Sequence, residues 1–286
     1  NISFAIGREI PIVIINVQRL GPSTGSATKA SDGDIQFMRW GNTGGLPVIV
    51  LAPADVQDCY LLTMQAFNLA ERFRCPVFVA ANKEVSMTRE TIDLEALDIP
   101  ALVNRRPADP DKPFQPFEAG GGSLSPDFLP IGDERLVRQT SSTHGPEGYI
   151  TTDAGQIAAN QERLDRKLKS AISSFSFHEA IEQSGAETLV ITYGVTARAA
   201  KEVVEQLNTD GTPVSFLALK TLWPVPEELI RSKAKPHQRI VVFEMNMGQY
   251  VREIERVLCE KKIVFHGRMD GDLITPEQIK EVVTNG

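Results

Sequence analysis

Apolar runs alternate with amphipathic or polar segments along both halves of the chain, and this alternation is typical of α/β folds. In the first half, the runs at 10–17, 47–52 and 76–81 contain almost no polar residues. Such runs predict strands of a parallel sheet that are fully buried. Residues 55–73, between the second and third runs, place apolar side chains at helical spacing. The order strand–helix–strand therefore predicts a right-handed βαβ unit.

The second half of the chain also alternates apolar runs with segments of helical period. We expect a second doubly wound sheet, and therefore an α/β protein with two parallel-sheet domains. Thr196 is expected to cap the first helix of this half, and Thr275, followed by Pro276 and Glu277, is a favourable start for the last one. The predicted strands are at 188–193, 213–219, 238–244 and 262–266, and the predicted helices are at 196–207, 226–234, 248–260 and 275–283.

The stretch between the two halves, which we call the arm (84–152), has a different composition. Its apolar residues follow neither a helical nor a strand period, and eight of the 18 prolines lie between residues 100 and 146. A disordered linker would carry few aromatic residues, whereas Phe and Tyr recur here as anchors, so we expect an ordered arm. The anchors are Phe114, Phe117, Phe128 and Tyr149. A polar helix is predicted at 154–173. The predicted domain divisions are 1–83, 84–174 (the arm and its helix) and 175–286.

Charge and cysteine content exclude several classes of protein. The net charge of -7 argues against a nucleic-acid partner, which would need a basic face. No apolar stretch reaches about 18 residues, so no membrane span is predicted, and we expect no signal peptide. The cysteines, Cys59, Cys75 and Cys259, are scattered and fit a reducing cytoplasm, but they cannot build a four-thiolate iron–sulfur site. The four histidines lack metal-ligand spacing, so no metal site is predicted.

The most informative stretch is the loop after the first apolar run, at 16–33, which reads NVQRLGPSTGSATKASDG. Ligands of open α/β sheets bind at the carboxyl ends of the strands, where this loop should emerge. The loop combines a cation, Arg19, with the hydroxyl groups of Ser23, Thr24 and Thr28. A planar guanidinium beside hydroxyl groups suits a small carboxylate. The alternatives are that Arg19 forms a surface or interdomain ion pair, that Thr28 caps a turn, and that Ser23 and Thr24 only form the turn.

Other chemistries fit parts of the sequence less well. The loop matches the G-x-S-x-G nucleophile elbow at Ser23, but the apolar run does not lead directly into the serine and no histidine–acid pair stands out. A serine hydrolase is therefore only an alternative. The order of lysine and threonine does not match a P-loop. His144, alone in the arm, is interpreted as structural. Residues 244–249 (EMNMGQ) could bind an anion at a helix N-terminus, but interface packing is the preferred interpretation.

Taken together, the motifs resemble one family. The signature NVQR-x-GPSTG-x-PT of 2-oxoacid:ferredoxin oxidoreductase alpha subunits, most closely the 2-oxoglutarate type, is similar to NVQRLGPSTGSATK. The family's next βαβ segment is similar to APADVQDCYLLTMQAFNLAERFRCPVFV, and its histidine-containing glycine motif is similar to THGPEG. Its transketolase-C-terminal-like domain is similar to ITYGVTARAAKEVVEQL, LKTLWPVPEELI, FEMNMGQ and GDLITPEQI. The resemblance covers nearly the whole chain.

The resemblance implies a partial pyrimidine-binding domain for thiamine diphosphate, followed by a transketolase-C-terminal-like domain. It implies that a 2-oxoacid loses CO2, that electrons pass singly through iron–sulfur clusters to ferredoxin, and that coenzyme A takes the acyl group. Arg19 matches the family's carboxylate-binding arginine, and Thr28 matches a threonine that contacts the oxoacid. The implied partners are ferredoxin and a beta subunit that carries the diphosphate-binding domain, its Mg²⁺ and a 4Fe-4S cluster. The implied assembly is (alpha-beta)2, to which a gamma domain or subunit can be added.

Two departures from the family pattern leave part of this function open. The family's Leu-Pro before the threonine is replaced by Ser26 and Ala27, so the preferred 2-oxoacid is not fixed. The family's activating glutamate and its Tyr-Pro-Ile-Thr-Pro-Ser segment would precede Asn1, and residues 2–8 have the spacing of the last turns of a helix. We therefore expect the first domain to be incomplete in this sequence, and the polypeptide to be inactive without its beta partner and that segment. A non-catalytic assembly subunit that kept the fold is the alternative.

Overall fold

The computed structural model describes residues 1–120 and 122–285. Its strands are β1 (Ile12–Gln18), β2 (Ile49–Leu51), β3 (Pro76–Asn82), β4 (His178–Ile181), β5 (Thr188–Tyr193), β6 (Val214–Leu219), β7 (Thr221–Trp223), β8 (Arg239–Glu244) and β9 (Lys262–Gly267). Its helices are α1 (Ile2–Gly7), α2 (Ile35–Trp40), α3 (Val56–Phe73), α4 (Lys83–Met87), α5 (Ala154–Lys169), α6 (Thr196–Thr209), α7 (Glu227–Ala234), α8 (Val251–Val257) and α9 (Pro276–Asn285). A short 3-10 helix (Ile172–Phe175) follows α5.

The first half of the chain forms a sheet with the strand order β1-β3-β2-β7. Strands β1, β3 and β2 are parallel, as predicted, and β3 is buried along its whole length between its two neighbours. The last strand, β7, comes from the second half of the chain and runs antiparallel to β2. This added strand ties the two halves of the molecule together.

The prediction of a fully buried first strand is wrong. Strand β1 lies at the edge of the sheet, where Ile15 is 54% exposed and Val17 is 45% exposed. The apolar run of β1 is as continuous as that of β3, but composition does not say which strand acquires neighbours on both sides. The carboxyl end of β1 nevertheless lies beside that of β3, because the register pairs Gln18 with Asn82.

The second half forms a sheet with the strand order β4-β6-β5-β8-β9. Strands β6, β5, β8 and β9 are parallel. Helices α6 and α9 pack on one apolar cluster of this sheet through Val204 and Ile279, and α7 and α8 pack on another through Ile230 and Ile254. The predicted α/β class is confirmed. Strand β4, which is not among the predicted strands, adds an antiparallel edge, so each sheet is mixed rather than purely parallel.

One apolar cluster crosses between the two halves. It contains Ile35 and Val50 from the first half together with Leu217 and Val242 from the second, and all four side chains are at most 1% exposed. Apolar area removed from water stabilises packing by roughly 25 cal/mol per Å², so this shared core holds the two sheets in one arrangement. The division at residue 175 remains a prediction.

Two predicted helix starts are confirmed and one is wrong. The Asp55 carboxylate accepts the N–H of Asp58 at 2.7 Å, and the Thr275 hydroxyl accepts the N–H of Gln278 at 3.4 Å. Thr196 does not cap α6, because the helix begins at Thr196 itself, and its buried hydroxyl has no hydrogen-bond partner in the described chain. The preceding Gly194, with a φ of 61°, ends β5 and places the turn one residue earlier than expected.

The arm is held against the first half by buried polar contacts, as expected of an ordered segment. The Arg74 guanidinium donates to the carbonyl oxygen of Asp127 in the arm at 2.9 Å. The fully buried Glu9 carboxylate pairs with Arg163 and Lys167 of α5. Burial by itself would raise the pKa of Glu9, but the charges of Lys167 and Arg163 outweigh it and lower that pKa.

Across 1–120 and 122–285, no helix is both long and apolar enough to span a bilayer.

Candidate functional site

The loop that carries Arg19 emerges from the carboxyl end of β1, as predicted. Arg19 directly follows the strand and is exposed, and no carboxylate in the described chain forms an ion pair with it. The alternative in which Arg19 is an internal ion pair is therefore wrong. Its guanidinium is available to an anion from outside the chain.

Left-handed residues turn the loop back on itself. Gly21, Ser23, Gly25 and Thr28 have φ values between 55° and 72°. A Cβ on Gly25 would lie 2.6 Å from the amide nitrogen of Gly21, so the turn closes only with glycine at this position. A β-branched residue such as Thr28 is a genuine outlier at positive φ. Such conformations cost about 1–3 kcal/mol and cluster at ligand sites, so Thr28 marks this loop as a functional candidate.

Short contacts join the two ends of the loop into a stem. The side-chain oxygen of Gln18 accepts the N–H of Asp34 at 3.0 Å, and the Asn16 amide donates to the Asp34 carboxylate at 3.2 Å. Gly33 lies directly against Arg19, because a Cβ on Gly33 would be 2.3 Å from the Arg19 carbonyl oxygen. The backbone of Arg19 is therefore positioned by the stem.

Ser23 and Thr24 are exposed, and neither hydroxyl group hydrogen-bonds to another described residue. A serine nucleophile needs a base within hydrogen-bond reach. His144 is instead buried in the arm, where its Nε2 lies 3.2 Å from the Gly7 carbonyl oxygen and its ring stacks on Phe117 with centroids 3.8 Å apart. This geometry gives no support to a serine hydrolase, and it places His144 in the structural role predicted for it.

The segment 244–249 packs against the stem of the loop. The Asn246 amide donates to the carbonyl oxygen of Asp32 at 2.9 Å, and the Gln249 amide donates to the carbonyl oxygen of Gly33 at 2.6 Å. Interface packing, the preferred interpretation of this segment, is therefore confirmed. The second half of the chain thus holds the loop by its backbone.

A buried carboxyl group lies under the loop. Asp32 is 2% exposed, its Oδ1 accepts from the Asn82 amide at 3.0 Å, and its Oδ2 has no hydrogen-bond partner in the described chain. Burial raises the pKa of Asp32 to about 7, the Asn82 hydrogen bond opposes this rise, and the negative charge of Glu244 adds to it. A carboxyl group with this pKa exchanges its proton near neutral pH.

A second buried carboxyl group, Glu244, ends β8. It accepts the N–H groups of Tyr250 and Val251 at 2.9 Å and 2.6 Å and the hydroxyl of Tyr193 at 2.8 Å. Burial raises the pKa of Glu244, although these hydrogen bonds oppose the rise. Burial, followed by the charge of Glu244, raises the pKa of Tyr193 well above its ordinary value, so Tyr193 remains a donor. The carboxyl ends of the two sheets therefore meet in one buried polar cluster.

The loop is also held at its Lys29 end. The Lys29 ammonium pairs with Asp272. Gly271 lies against the aliphatic part of the Lys29 side chain, because a Cβ on Gly271 would be 2.5 Å from the Lys29 Cβ. Both partners are about half exposed, so the pair itself contributes little free energy. It does show that a further segment of the second half, at 271–272, contacts the same part of the loop that the 244–249 segment contacts.

Sequence reasoning identified the loop but missed the residues that hold it. Asp32, Asn82 and Gln249 were not among the predicted site residues. A polar residue at the carboxyl end of a buried strand is a usable signal, and it could have identified Asn82. No local signal pairs Gln249 with the loop, because the two partners lie 216 positions apart.

Two family models match this chain. The model described as pyruvate flavodoxin/ferredoxin oxidoreductase, thiamine diphosphate-binding, matches residues 1–163. The model described as pyruvate:ferredoxin oxidoreductase core domain II matches residues 186–279. The chain is similar to a solved 2-oxoglutarate:ferredoxin oxidoreductase from Magnetococcus marinus with 2-oxoglutarate, coenzyme A and succinyl-CoA bound. The TM-score is 0.89 at 25% identity, and the match covers 99% of this chain and 50% of that one.

The names of similar curated proteins agree with these two family models. The 2-oxoglutarate synthase subunit KorA of Methanocaldococcus jannaschii is 36% identical over 99% of this chain and 76% of its own length. KorA of Archaeoglobus fulgidus is 34% identical over 98% of this chain and 73% of its own length. The ketoisovalerate oxidoreductase subunit VorB of Methanothermobacter marburgensis is more distant, at 27% identity over 96% of this chain and 70% of its own length. The chain therefore belongs to the family of 2-oxoacid:ferredoxin oxidoreductase alpha subunits.

Proposed function

We propose that this chain is a catalytic alpha-type subunit of a thiamine-diphosphate-dependent 2-oxoacid:ferredoxin oxidoreductase that acts on 2-oxoglutarate. The reaction converts 2-oxoglutarate, coenzyme A and two oxidised ferredoxins into succinyl-CoA, CO2, two reduced ferredoxins and one proton. The substrate is supported by the similarity to 2-oxoglutarate synthase subunits, and by the ligands bound in the Magnetococcus marinus enzyme.

The observation that carries the proposal is the position of Arg19. Its side chain is exposed at the carboxyl end of β1, without an internal counter-ion in the described chain. A guanidinium presents parallel N–H donors that match the two oxygens of a carboxylate. We assign to Arg19 the binding and orientation of the oxoacid carboxylate.

The hydroxyl groups of the loop complete the proposed substrate site. Thr28 is exposed and held at a φ of 62°, and we assign its hydroxyl a hydrogen bond to the oxoacid. Ser23 and Thr24 are exposed on the same loop and are proposed as further polar contacts to the substrate. None of these groups is proposed to exchange a proton. They bind and orient the acid for a coenzyme that carries the bond-breaking chemistry.

The coenzyme is proposed to lie mainly on a partner. Thiamine diphosphate, when bound, supplies the electron sink that allows the carboxyl group to leave as CO2. Its Mg²⁺-bound diphosphate needs several oxygen ligands close together, and the described residues include no group of three or more His, Cys, Asp or Glu side chains able to hold a metal. We therefore assign the diphosphate, the Mg²⁺ and the 4Fe-4S cluster to a beta subunit in an (alpha-beta)2 assembly, with ferredoxin as electron acceptor.

Replacing Arg19 with Lys tests the proposal in the native complex that contains this chain. Lysine keeps the charge but loses the planar fork, so the KM for 2-oxoglutarate should rise more than about tenfold, equivalent to about 1.4 kcal/mol. Arg89→Lys is the matched control, because Arg89 is also an exposed arginine but lies in the arm, away from the loop sequence. Ferredoxin reduction is measured with 2-oxoglutarate, pyruvate and 2-oxoisovalerate as alternative substrates.

Each part of the proposal has its own contrary result. An unchanged KM for 2-oxoglutarate in Arg19→Lys would favour the alternative of a non-catalytic assembly subunit. A clear preference for pyruvate or 2-oxoisovalerate in the wild type would leave the reaction type standing and overturn the assignment of 2-oxoglutarate. Ferredoxin reduction by this polypeptide alone would contradict the assignment of the coenzyme to a partner.

A further inference from the structure

The side chain of Gln249 connects two backbone positions in the other half of the molecule. Its Nε2 donates to the carbonyl oxygen of Gly33 at 2.6 Å, and its Oε1 accepts the N–H of Gln36 at 2.9 Å. The Gln36 side chain in turn donates to the backbone carbonyl of Gln249. Both amide side chains are half-buried, so these bonds compete only partly with water. The two residues form a reciprocal clasp across the interface.

The clasp is rigid on the Gln249 side. The Asn246 side-chain oxygen accepts the N–H groups of Gly248 and Gln249 at 2.8 Å and 2.9 Å, and its amide donates to the carbonyl oxygen of Asp32 at 2.9 Å. Asn246 is 3% exposed, and both of its side-chain polar atoms are hydrogen-bonded. A buried amide whose hydrogen bonds are all formed has one favourable orientation. Asn246 therefore fixes the position of the Gln249 backbone, to which it is hydrogen-bonded.

The clasp reaches the substrate loop through Gly33. A Cβ on Gly33 would lie 2.3 Å from the carbonyl oxygen of Arg19 and 2.9 Å from that of Leu20, so these backbones are already in contact. A movement of Gly33 toward the loop would therefore push on the backbone of Arg19, and a movement away from it would remove a contact that supports that backbone. Gln249 thus acts on the arginine through Gly33, and within residues 1–120 and 122–285 its own side chain hydrogen-bonds only to backbone groups.

We propose that Gln249 is a positioning residue for the 2-oxoacid: by holding the carbonyl group of Gly33, it sets the place at which Arg19 meets the substrate carboxylate. This inference rests on the proposed role of Arg19. It gives a function to the segment 244–249, and it explains why an interface between the two halves lies directly beneath the loop. A displacement of about 1 Å in a binding group can lower kcat/KM by up to about a hundredfold.

Two variants test the inference in the native complex. Gln249→Glu keeps the oxygen that accepts from Gln36 but loses the donor to Gly33, and Gln249→Met removes both bonds at similar length. Each should raise the KM for 2-oxoglutarate about tenfold, with kcat and the KM for coenzyme A changed less than about twofold, since the lost contact acts on substrate binding alone. Met247→Ala is the control, because Met247 belongs to the same turn and is 71% exposed. Its kinetics should match the wild type.

A double variant distinguishes this inference from the proposed function. If Gln249 acts through Arg19, Gln249→Glu should raise the KM by less than about twofold when Arg19 is already Lys, because the two effects share one contact. Full additivity, or an equal change in the KM for coenzyme A, would overturn the positioning role and leave the function of Arg19 intact. A wild-type KM in Arg19→Lys itself would overturn both. If Gln249→Met fails to assemble, the glutamate variant carries the test.

Discussion

Replacing Asp32 with Asn should stabilise the protein more at pH 8 than at pH 5. Asp32 is 2% exposed, its Oδ2 has no hydrogen-bond partner in the described chain, and burial raises its pKa from 3.8 to about 7. The unfolded chain releases this proton near pH 3.8, whereas the folded chain keeps it until about pH 7. Because the folded state binds more protons within this window, the free energy of unfolding falls as the pH rises through it.

The size of the effect follows from the width of that window. Each pH unit corresponds to about 1.4 kcal/mol, so the wild type should lose roughly 3 kcal/mol between pH 5 and pH 7 and little more above it. An amide at position 32 cannot ionise, yet its oxygen can still accept from Asn82. The advantage of the variant over the wild type should therefore grow by roughly 3 kcal/mol between pH 5 and pH 8. Glu244 is present in both proteins, so its own titration largely cancels in the difference.

Urea unfolding at pH 5, 6, 7 and 8 measures this difference, with matching slopes showing that both proteins unfold alike. Asp270→Asn is the control, because the Arg268 hydrogen bond lowers the pKa of Asp270 to about 2 and the carboxylate stays charged throughout this range. Its stability difference from the wild type should be flat with pH. A flat difference for Asp32→Asn as well would refute the reasoning, since it would mean that the buried carboxyl ionises at its ordinary pKa.

Glu9→Gln should lower the free energy of unfolding by about 3–5 kcal/mol, because it leaves the buried ammonium of Lys167 without its counter-charge. Thermal unfolding measures the change in the free energy of unfolding. A decrease of less than about 1 kcal/mol would show that the Glu9–Lys167 pair contributes no more than an exposed surface ion pair. Gly33→Ala should raise the KM for 2-oxoglutarate about tenfold or more, since the new methyl group overlaps the carbonyl oxygen of Arg19. Steady-state kinetics check it against Gly7→Ala, whose methyl group meets nothing within 4 Å, and equal KM values in the two variants would contradict the expected displacement.

Local patterns in the sequence were sufficient for much of this protein. The alternation of apolar runs with helical periods indicated the α/β class, because side-chain period and propensity are properties of neighbouring residues. Glycine and hydroxyl content identified the loop at 16–33, and the position of Arg19 after an apolar run placed it at a strand's carboxyl end. Aromatic residues indicated an ordered arm, and Phe117 is buried as expected, but Tyr149 is 60% exposed and the prediction that it anchors the arm is wrong.

Only the tertiary structure decided which groups meet. The sequence could not show that β1 lies at an edge, that β7 joins the first sheet, or that Asp32 is buried with one oxygen that has no partner among the described residues. Nor could it pair Gln249 with Gly33 across 216 positions. These facts depend on how two sheets pack, and packing is settled by shape and by the satisfaction of buried polar groups throughout the molecule. A residue's neighbours along the chain carry almost none of that information.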